Sequence, residues 1–255
     1  MQIFWAARTD RGLRRSQNED TYCAKPDLGL FVVADGMGGH AGGEIASGLA
    51  VEQIQQAVET TAGLGRDDSW PMPFDNRNGI DCNRLRVGLT KANTRIAQEI
   101  KKFENLRGMG TTAVAILVTG CKVAVAHIGD SRAYLHRGDA LRRLTNDHSW
   151  VEEQMRAGTL TEAAARRHPW RNIVTRALSG TDELLIDLTE LEFEAGDRLL
   201  LCSDGLTTVL EDSEIQRVVA APADPQAVCD DLVRRANAAG GPDNVTAVVV
   251  DVAVQ

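Results

Sequence analysis

Gly29-Leu30-Phe31-Val32-Val33-Ala34-Asp35-Gly36-Met37-Gly38-Gly39-His40 is the stretch from which the rest of the chain can be read. Its apolar half has the composition of a buried strand, and a carboxylate at the end of such a strand is held rigidly. Glycines at 36, 38 and 39 let backbone approach an ion or a phosphate without side-chain obstruction. A helix-like segment starts near Gly42. Taken alone, the run also fits a tight strand-to-helix turn with Asp35 as the helix cap, the less favoured of the two readings. What separates the two readings is recurrence.

The same grammar, a carboxylate at the edge of an apolar strand beside Gly, Asn or Ser, returns along the chain. Asn18-Glu19-Asp20 precedes a strand-like segment, and Ser203-Asp204-Gly205 follows Leu199-Leu200-Leu201-Cys202. Gly240-Gly241-Pro242-Asp243-Asn244 precedes the C-terminal apolar run, and Gly129-Asp130-Ser131-Arg132 sits between two strands. Asp, Gly and Asn are common turn residues, so any one of these is unremarkable. Several acids bordering buried runs are another matter, because clustered carboxylates repel one another and resist ionisation. A divalent cation removes that conflict. Oxygen-only donors suit hard ions, Mg2+, Mn2+ or Ca2+, rather than Zn2+. One carboxylate bridging two ions about 3.5–4 Å apart is the two-metal hydrolase arrangement, and Asp35, with the Gly36 carbonyl, is the candidate bridge. Arg14 and Arg15 stand just before the first acidic group, where a guanidinium fork matches a phosphate.

Expected strands cover 3–8, 21–24, 30–34, 112–119, 122–128, 133–136, 140–144, 185–191, 198–203 and 245–252. Links as short as Gly120-Cys121 and Arg137-Gly138-Asp139 require antiparallel neighbours, since a parallel crossover needs a dozen or more residues. Helical spacing places Ile45, Leu49, Ile54 and Val58 on one helix over 44–60. Leu85, Leu89, Ile96, Ile100 and Phe103 fall on a second over 83–103, and a later pair covers 213–219 and 225–238. Two antiparallel sheets, each covered by a helix pair, give an α+β fold: a four-layer α/β/β/α sandwich. The expectation is one domain over 1–255, with a surface linker near 63–81 and a flap near 147–179 that carries helical pieces over 151–157 and 161–167. Trp70 and Phe74 in the linker either pack down or form a contact patch.

Net charge is −8 for 255 residues, which argues against a nucleic-acid-coating role. No apolar run is long enough to span a bilayer, and Met1-Gln2-Ile3-Phe4-Trp5 reads as a strand rather than a signal peptide. The five cysteines are scattered without a C-x-x-C pair, so a reducing, cytoplasmic setting is expected. Cys121 and Cys202 lie in apolar segments and are expected to be buried thiols. His127 reads as a packed core residue, and His136, His148 and His168 carry no strong signal.

Taken in order, Arg15-x-x-Asn18-Glu19-Asp20, Asp35-Gly36-Met37-Gly38-Gly39-His40, Gly110-Thr111-Thr112, Gly129-Asp130-Ser131-Arg132, Ser203-Asp204-Gly205 and Asp243-Asn244 resemble the motifs of the protein phosphatase 2C (PPM) family. These are metal-dependent protein serine/threonine phosphatases, and the compact form here resembles the stand-alone bacterial branch. The resemblance implies that Asp35, Asp204 and Asp243 ligate one Mn2+ or Mg2+ ion. Asp35, the Gly36 carbonyl and Glu19 would serve a second, and Asp130 with Asp204 would support a third. It implies Asp20 and Asn244 just outside the ligands, Asp20 orienting a metal-bound water, and Arg15 on the phosphate. The implied reaction is attack of a metal-bridging hydroxide on phosphoserine or phosphothreonine in proteins. A bacterial Ser/Thr kinase and its targets are the expected partners, no nucleic acid or membrane is expected, and the chain is expected to be a monomer. One departure is Met37, where animal relatives carry a His proposed as general acid. A thioether cannot donate that proton. Either metal-bound water protonates the leaving group or His40 reaches in; His40 could equally cap the following helix. The alternatives are a phosphodiesterase or nuclease, against which the net acidity counts, and a catalytically silent phosphoprotein-binding module, against which the intact acids count.

Overall fold

The computed structural model describes residues 2–38 and 42–253. The strands are β1 (Gln2–Asp10), β2 (Asp20–Lys25), β3 (Leu30–Met37), β4 (Gly110–Thr111), β5 (Ala113–Thr119), β6 (Lys122–Ile128), β7 (Arg132–Arg137), β8 (Ala140–Arg143), β9 (Asp187–Glu192), β10 (Arg198–Cys202) and β11 (Val245–Ala253). The helices are α1 (Gly42–Thr61), α2 (Ile80–Lys102), α3 (Trp150–Arg156), α4 (Glu162–Ala165), α5 (Asp204–Thr207), α6 (Asp212–Val219) and α7 (Pro225–Ala238). One sheet runs β1-β11-β10-β7-β8 and the other β2-β3-β5-β6-β9, with β4 added on β3. Their strand pairings are antiparallel, as the short links require. Among the described residues, no helix is long and apolar enough to cross a membrane.

The two-residue alternation of strand side chains explains the layering. In β3, Leu30, Val32 and Ala34 pack with Ile54, Leu85 and Leu89 of α1 and α2. Phe31 and Val33 point the other way, into a core shared with Leu199, Leu201, Val248 and Val250 of the opposite sheet. In that sheet Leu200, Cys202, Ala247 and Val249 turn outward onto Ile215, Val228 and Leu232 of α6 and α7. Three apolar seams therefore separate four layers, the α/β/β/α sandwich the strand pattern predicts.

Three expectations shift. On α1 the buried stripe is Ala46, Ala50, Ile54, Ala57 and Val58, whereas Ile45 is exposed. Small residues bring this helix close to its neighbours: a Cβ on Gly88 of α2 would lie 2.8 Å from the Ile54 Cα. Phe103 lies past the end of α2 in extended backbone and is half exposed. Cys121 is exposed because it is the second residue of the β5–β6 turn, where the side chain points to water; Cys202 is buried as expected.

The acidic motifs collect at one end of the sandwich. Asp35 closes the apolar part of β3 and is in phase with Phe31 and Val33, so the alternation aims it toward the seam between the sheets. Asp20 is its cross-strand partner on β2. Asp130 lies between β6 and β7, Asp204 opens α5 with one residue between it and β10, and Asp243 lies just before β11.

The seam between the sheets carries the fold. Leu201→Ala, fully buried there, is expected to cost about 2–5 kcal/mol in urea unfolding. The half-exposed Leu185→Ala should stay within about 0.5 kcal/mol of the parent chain.

Candidate active site

Asp35 is fixed through its own backbone. Its carbonyl accepts from Thr111 Oγ1 at 2.9 Å and from Thr112 N at 2.9 Å, and its N–H donates to Thr112 Oγ1 at 3.1 Å. The Thr112 hydroxyl also shares a 2.7 Å bond with the Ser131 hydroxyl, next to Asp130. Gly110-Thr111-Thr112, one of the motifs quoted from the sequence, thus sets the acid's position. The following Gly36 donates its N–H to the Glu19 carbonyl at 3.2 Å. A Cβ on Gly36 would lie 2.1 Å from the Gly43 carbonyl oxygen, so only glycine allows α1 to start this close to the acid.

Asn244 holds the first acidic loop. Its amide donates to the carbonyls of Arg11 at 2.9 Å and Gln17 at 2.8 Å, and its Oδ1 accepts from Glu19 N at 2.8 Å. Asp20 is buried, and its Oδ2 accepts from Ser203 Oγ and Thr246 Oγ1, each at 2.7 Å. Gly205 presses against the Asp243-Asn244 segment: a Cβ there would lie 1.9 Å from the Asn244 carbonyl oxygen. Residues far apart in sequence are therefore stitched together by side chain–backbone bonds.

The electrostatics are those of acids held against their preference. Burial, followed by repulsion from Asp20, Asp204, Asp130 and Asp243, holds Asp35 well above the usual carboxylate range. Burial pushes Asp20 up to about 7, against the hydroxyls of Thr246 and Ser203 that favour its charged form. Burial, then Asp243, pushes Asp204 up to about 6. Asp130 is raised well above the ordinary value by burial and then by Asp204 and Asp147. Glu19 is raised by burial. Oδ1 of Asp20 and Oδ1 of Asp204 are buried without a hydrogen-bond partner. Orphaned buried carboxylate oxygens, aimed into a cluster of like charges, fit a site for hard divalent cations.

Arg15 is the nearby counter-charge. Its Nη2 donates to Asp243 Oδ2 at 2.7 Å, and that pairing raises its pKa further. Arg15 is half exposed, so the fork stands at the mouth of the cluster and not inside it.

Segment 147–179, expected as a flap, carries α3 and α4. Between it and Asp130, Asp204 and Thr208 lies a cavity of about 600 Å³, which Met155, Arg156 and Arg171 line from the flap. Trp70 and Phe74 of the linker pack on each other edge to face, with centroids 5.1 Å apart. His40 lies outside the described residues. The structure brings Glu19, Asp20, Asp35, Gly36, Asp130, Asp204, Asp243, Asn244 and Arg15 to the same end of the sandwich. Sequence reasoning missed Thr112, Ser131, Ser203 and Thr246 as a hydroxyl framework. It also missed His148, which accepts a hydrogen bond from the Gly129 N–H. Thr112, Ser131 and Ser203 stand inside the quoted motifs and Thr246 follows Asp243 by three residues, but the sequence does not show that their hydroxyls meet the acids.

A two-sheet sandwich with a desolvated acid cluster at its open end, an arginine at the mouth and a cavity alongside defines a class of hydrolytic metal site. Residues 12–246 match the family model described as Protein phosphatase 2C. The chain belongs to the protein phosphatase 2C family. It is 36% identical over 250 residues to the serine/threonine phosphatase stp of Listeria welshimeri, covering 96% of this chain and 94% of that one. The crystal structure of the Mycobacterium tuberculosis serine/threonine phosphatase PstP/Ppp superposes with a TM-score of 0.87 at 38% identity, covering 99% of both chains. A structure of the PstP catalytic domain in complex with two manganese ions gives a TM-score of 0.82 at 37% identity, again covering 99% of both.

The raised acids make a prediction about the metal-free protein. Folded pKa values of about 7 for Asp20 and about 6 for Asp204 lie above the ordinary 3.8. The folded state therefore holds extra protons, and stability present at low pH is lost as pH rises from about 4 through about 7. Asp20→Asn has no such carboxylate to desolvate. In EDTA, the melting temperature of Asp20→Asn relative to wild type should rise across that window, and saturating Mn2+ should abolish the trend.

Proposed function

We propose that this chain is a metal-dependent protein serine/threonine phosphatase, with residues 1–255 acting as one catalytic domain. The observation that carries the proposal is the convergence of Asp20, Asp35, Asp130, Asp204 and Asp243 at the open end of the sandwich, with orphaned carboxylate oxygens on two of them. The fit of hard cations to these residues supports assigning ligands. Asp35, Asp204 and Asp243 would hold one ion, and Asp35, the Gly36 carbonyl and Glu19 would hold a second. Asp130 with Asp204 would hold a third. Mn2+ and Mg2+ both suit such donors, and the two manganese ions in the PstP catalytic domain support the first two sites.

Bound there, divalent cations supply an activated water at neutral pH and neutralise the charge of the phosphoryl oxygens. The protein residues do the rest. Arg15 stands against Asp243 and substitutes for a cation. Once Asp243 is neutralised otherwise, the guanidinium is free to grip two phosphate oxygens. Asp20 is anchored through Oδ2 by Ser203 and Thr246, which leaves the unpartnered Oδ1 to orient the attacking water. Thr111 and Thr112 hold Asp35 in place, so little reorganisation is needed during the reaction. Met37 offers no proton, so the leaving oxygen takes one from water or from His40.

Substrates are phosphoserine and phosphothreonine proteins, a Ser/Thr kinase and its targets among them, met in the cytoplasm by a monomeric enzyme. The names of the relatives, serine/threonine phosphatase stp and PstP, support that substrate class. The test is phosphate release from a phosphothreonine peptide. Release should need Mn2+ or Mg2+ and stop in EDTA. It should survive thiol alkylation, since Cys23, Cys82, Cys202 and Cys229 are buried and none is invoked. Asp204→Asn should keep the fold and lose about 100-fold or more in turnover. A folded Asp204→Asn protein with wild-type turnover would overturn the assignment. Hydrolysis of bis-p-nitrophenyl phosphate without action on the peptide would instead favour a phosphodiesterase.

A further inference from the structure

The residue before Asp130 is gripped from two sides by imidazoles. His127 Nε2 lies 2.8 Å from the Gly129 carbonyl oxygen, which also accepts from His148 N at 2.8 Å. The Gly129 N–H donates to His148 Nδ1 at 3.1 Å. Both rings are buried and pack together, with centroids 4.4 Å apart. Gly129 has φ 107°, and a Cβ there would lie 2.5 Å from Thr112 side-chain carbons. A side chain at 129 would therefore strain the backbone and collide with Thr112.

The Gly129 N–H fixes the His148 tautomer. His148 Nδ1 accepts, so its proton is on Nε2, which faces Asp187 Oδ2 at 3.2 Å, with Arg176 Nη1 at 3.4 Å from the same nitrogen and held there by Asp187 rather than by the ring. His127 donates from Nε2, leaving Nδ1 bare and buried without a partner. Burial lowers both imidazoles, His127 to about 4, so each stays neutral as this pattern needs. Asp187 is the cross-strand partner of His127, and the Arg176 guanidinium stands 3.5 Å from its Oδ1. Two imidazoles and a carboxylate with atoms within 4.8 Å of one another are also raw material for a transition-metal site. Here both His148 nitrogens are committed to hydrogen bonds, and a cationic side chain already faces the carboxylate.

His148 belongs to the flap. Its neighbour Asp147 holds Arg132 through bonds of 2.8 and 2.6 Å, on the far side of Asp130. The His148 carbonyl accepts from Thr175 N at 2.8 Å, and Ser149 bridges to Val174, so the two ends of the flap are tied together at this point.

We propose that His148, supported by His127 and Asp187, is a positioning residue for Asp130, and that it couples the root of the flap to the site of the third ion. This rests on the reading of Asp130 as an ion ligand. The clamp sets where the Asp130 carboxylate stands relative to Asp204, and movement of the flap root reaches the ion through one peptide group.

The test uses the whole chain with Mn2+ alone as the probe. Binding is followed by calorimetry without substrate, and phosphate release is measured separately. His148→Leu removes the acceptor and should weaken the weakest-bound ion about 10-fold, leaving the tighter ions unchanged. His148→Asn offers a carbonyl oxygen where Nδ1 stands and should restore the wild-type affinity. Asp187→Ala, at a half-exposed position, frees the His148 tautomer and should shift the same ion in the same direction. A folded His148→Leu protein with wild-type Mn2+ binding would overturn the proposal, and so would equal weakening in His148→Asn. Should His148→Leu fail to fold, unchanged binding in Asp187→Ala decides against it. Because calorimetry needs no turnover, a shift in binding without phosphatase activity would support the clamp while removing the proposed function.

Discussion

Repulsion among desolvated carboxylates is the constraint on which the rest of this molecule depends. Asp20, Asp35, Asp130, Asp204 and Asp243 crowd one end of the sandwich, and burial raises the first four together with their mutual charge. A fold would ordinarily avoid such a cluster, because each unpaired buried charge costs stability. Here the surrounding structure does the opposite. Thr111 and Thr112 fix the Asp35 backbone, Ser203 and Thr246 hold one oxygen of Asp20, and Asn244 ties down the loop bearing Glu19. Every one of these bonds is made by a neutral group, which orients an acid without discharging it. Arg15 is the exception at the mouth, and its exposure allows it to leave.

The sandwich makes that strain tolerable. Three apolar seams hold four layers, and the acids sit only where the strands run out. Alternation in β3 turns Asp35 toward the seam with the same phase that buries Phe31 and Val33, so the site is an extension of the core pattern and not an addition to it. The hydroxyls and the two histidines extend the same logic outward, from the acids to the groups that place them, and from these to segment 147–179.

Much of this was legible in the sequence, for physical reasons. Strands buried on both faces leave uninterrupted apolar runs, and short Gly-containing links force antiparallel neighbours. Acids next to Gly at strand ends then mark one edge of the fold. What stayed hidden depended on three-dimensional proximity. Thr112, Ser131 and Ser203 belong to motifs and Thr246 lies close after one, but only the pairing of strands brings their hydroxyls beside Asp35, Asp130 and Asp20. His148 carried no local signal because its partner, the Gly129 peptide, is nineteen positions earlier. The apolar stripe of α1 was misplaced by reading large residues first; Ala46 and Ala50 face the core because close helix packing favours small ones. Cys121 was misread because an apolar neighbourhood in sequence says little about a turn position.

The central claim is that divalent cations resolve the carboxylate conflict at Asp35. The most direct measurement is anomalous diffraction at the manganese edge from crystals grown with Mn2+. The account predicts two peaks about 3.5–4 Å apart flanking the Asp35 carboxylate, one beside Asp204 and Asp243 and the other beside Gly36. Ordered protein with no anomalous density at Asp35, or with ions only at surface acids elsewhere, would contradict it.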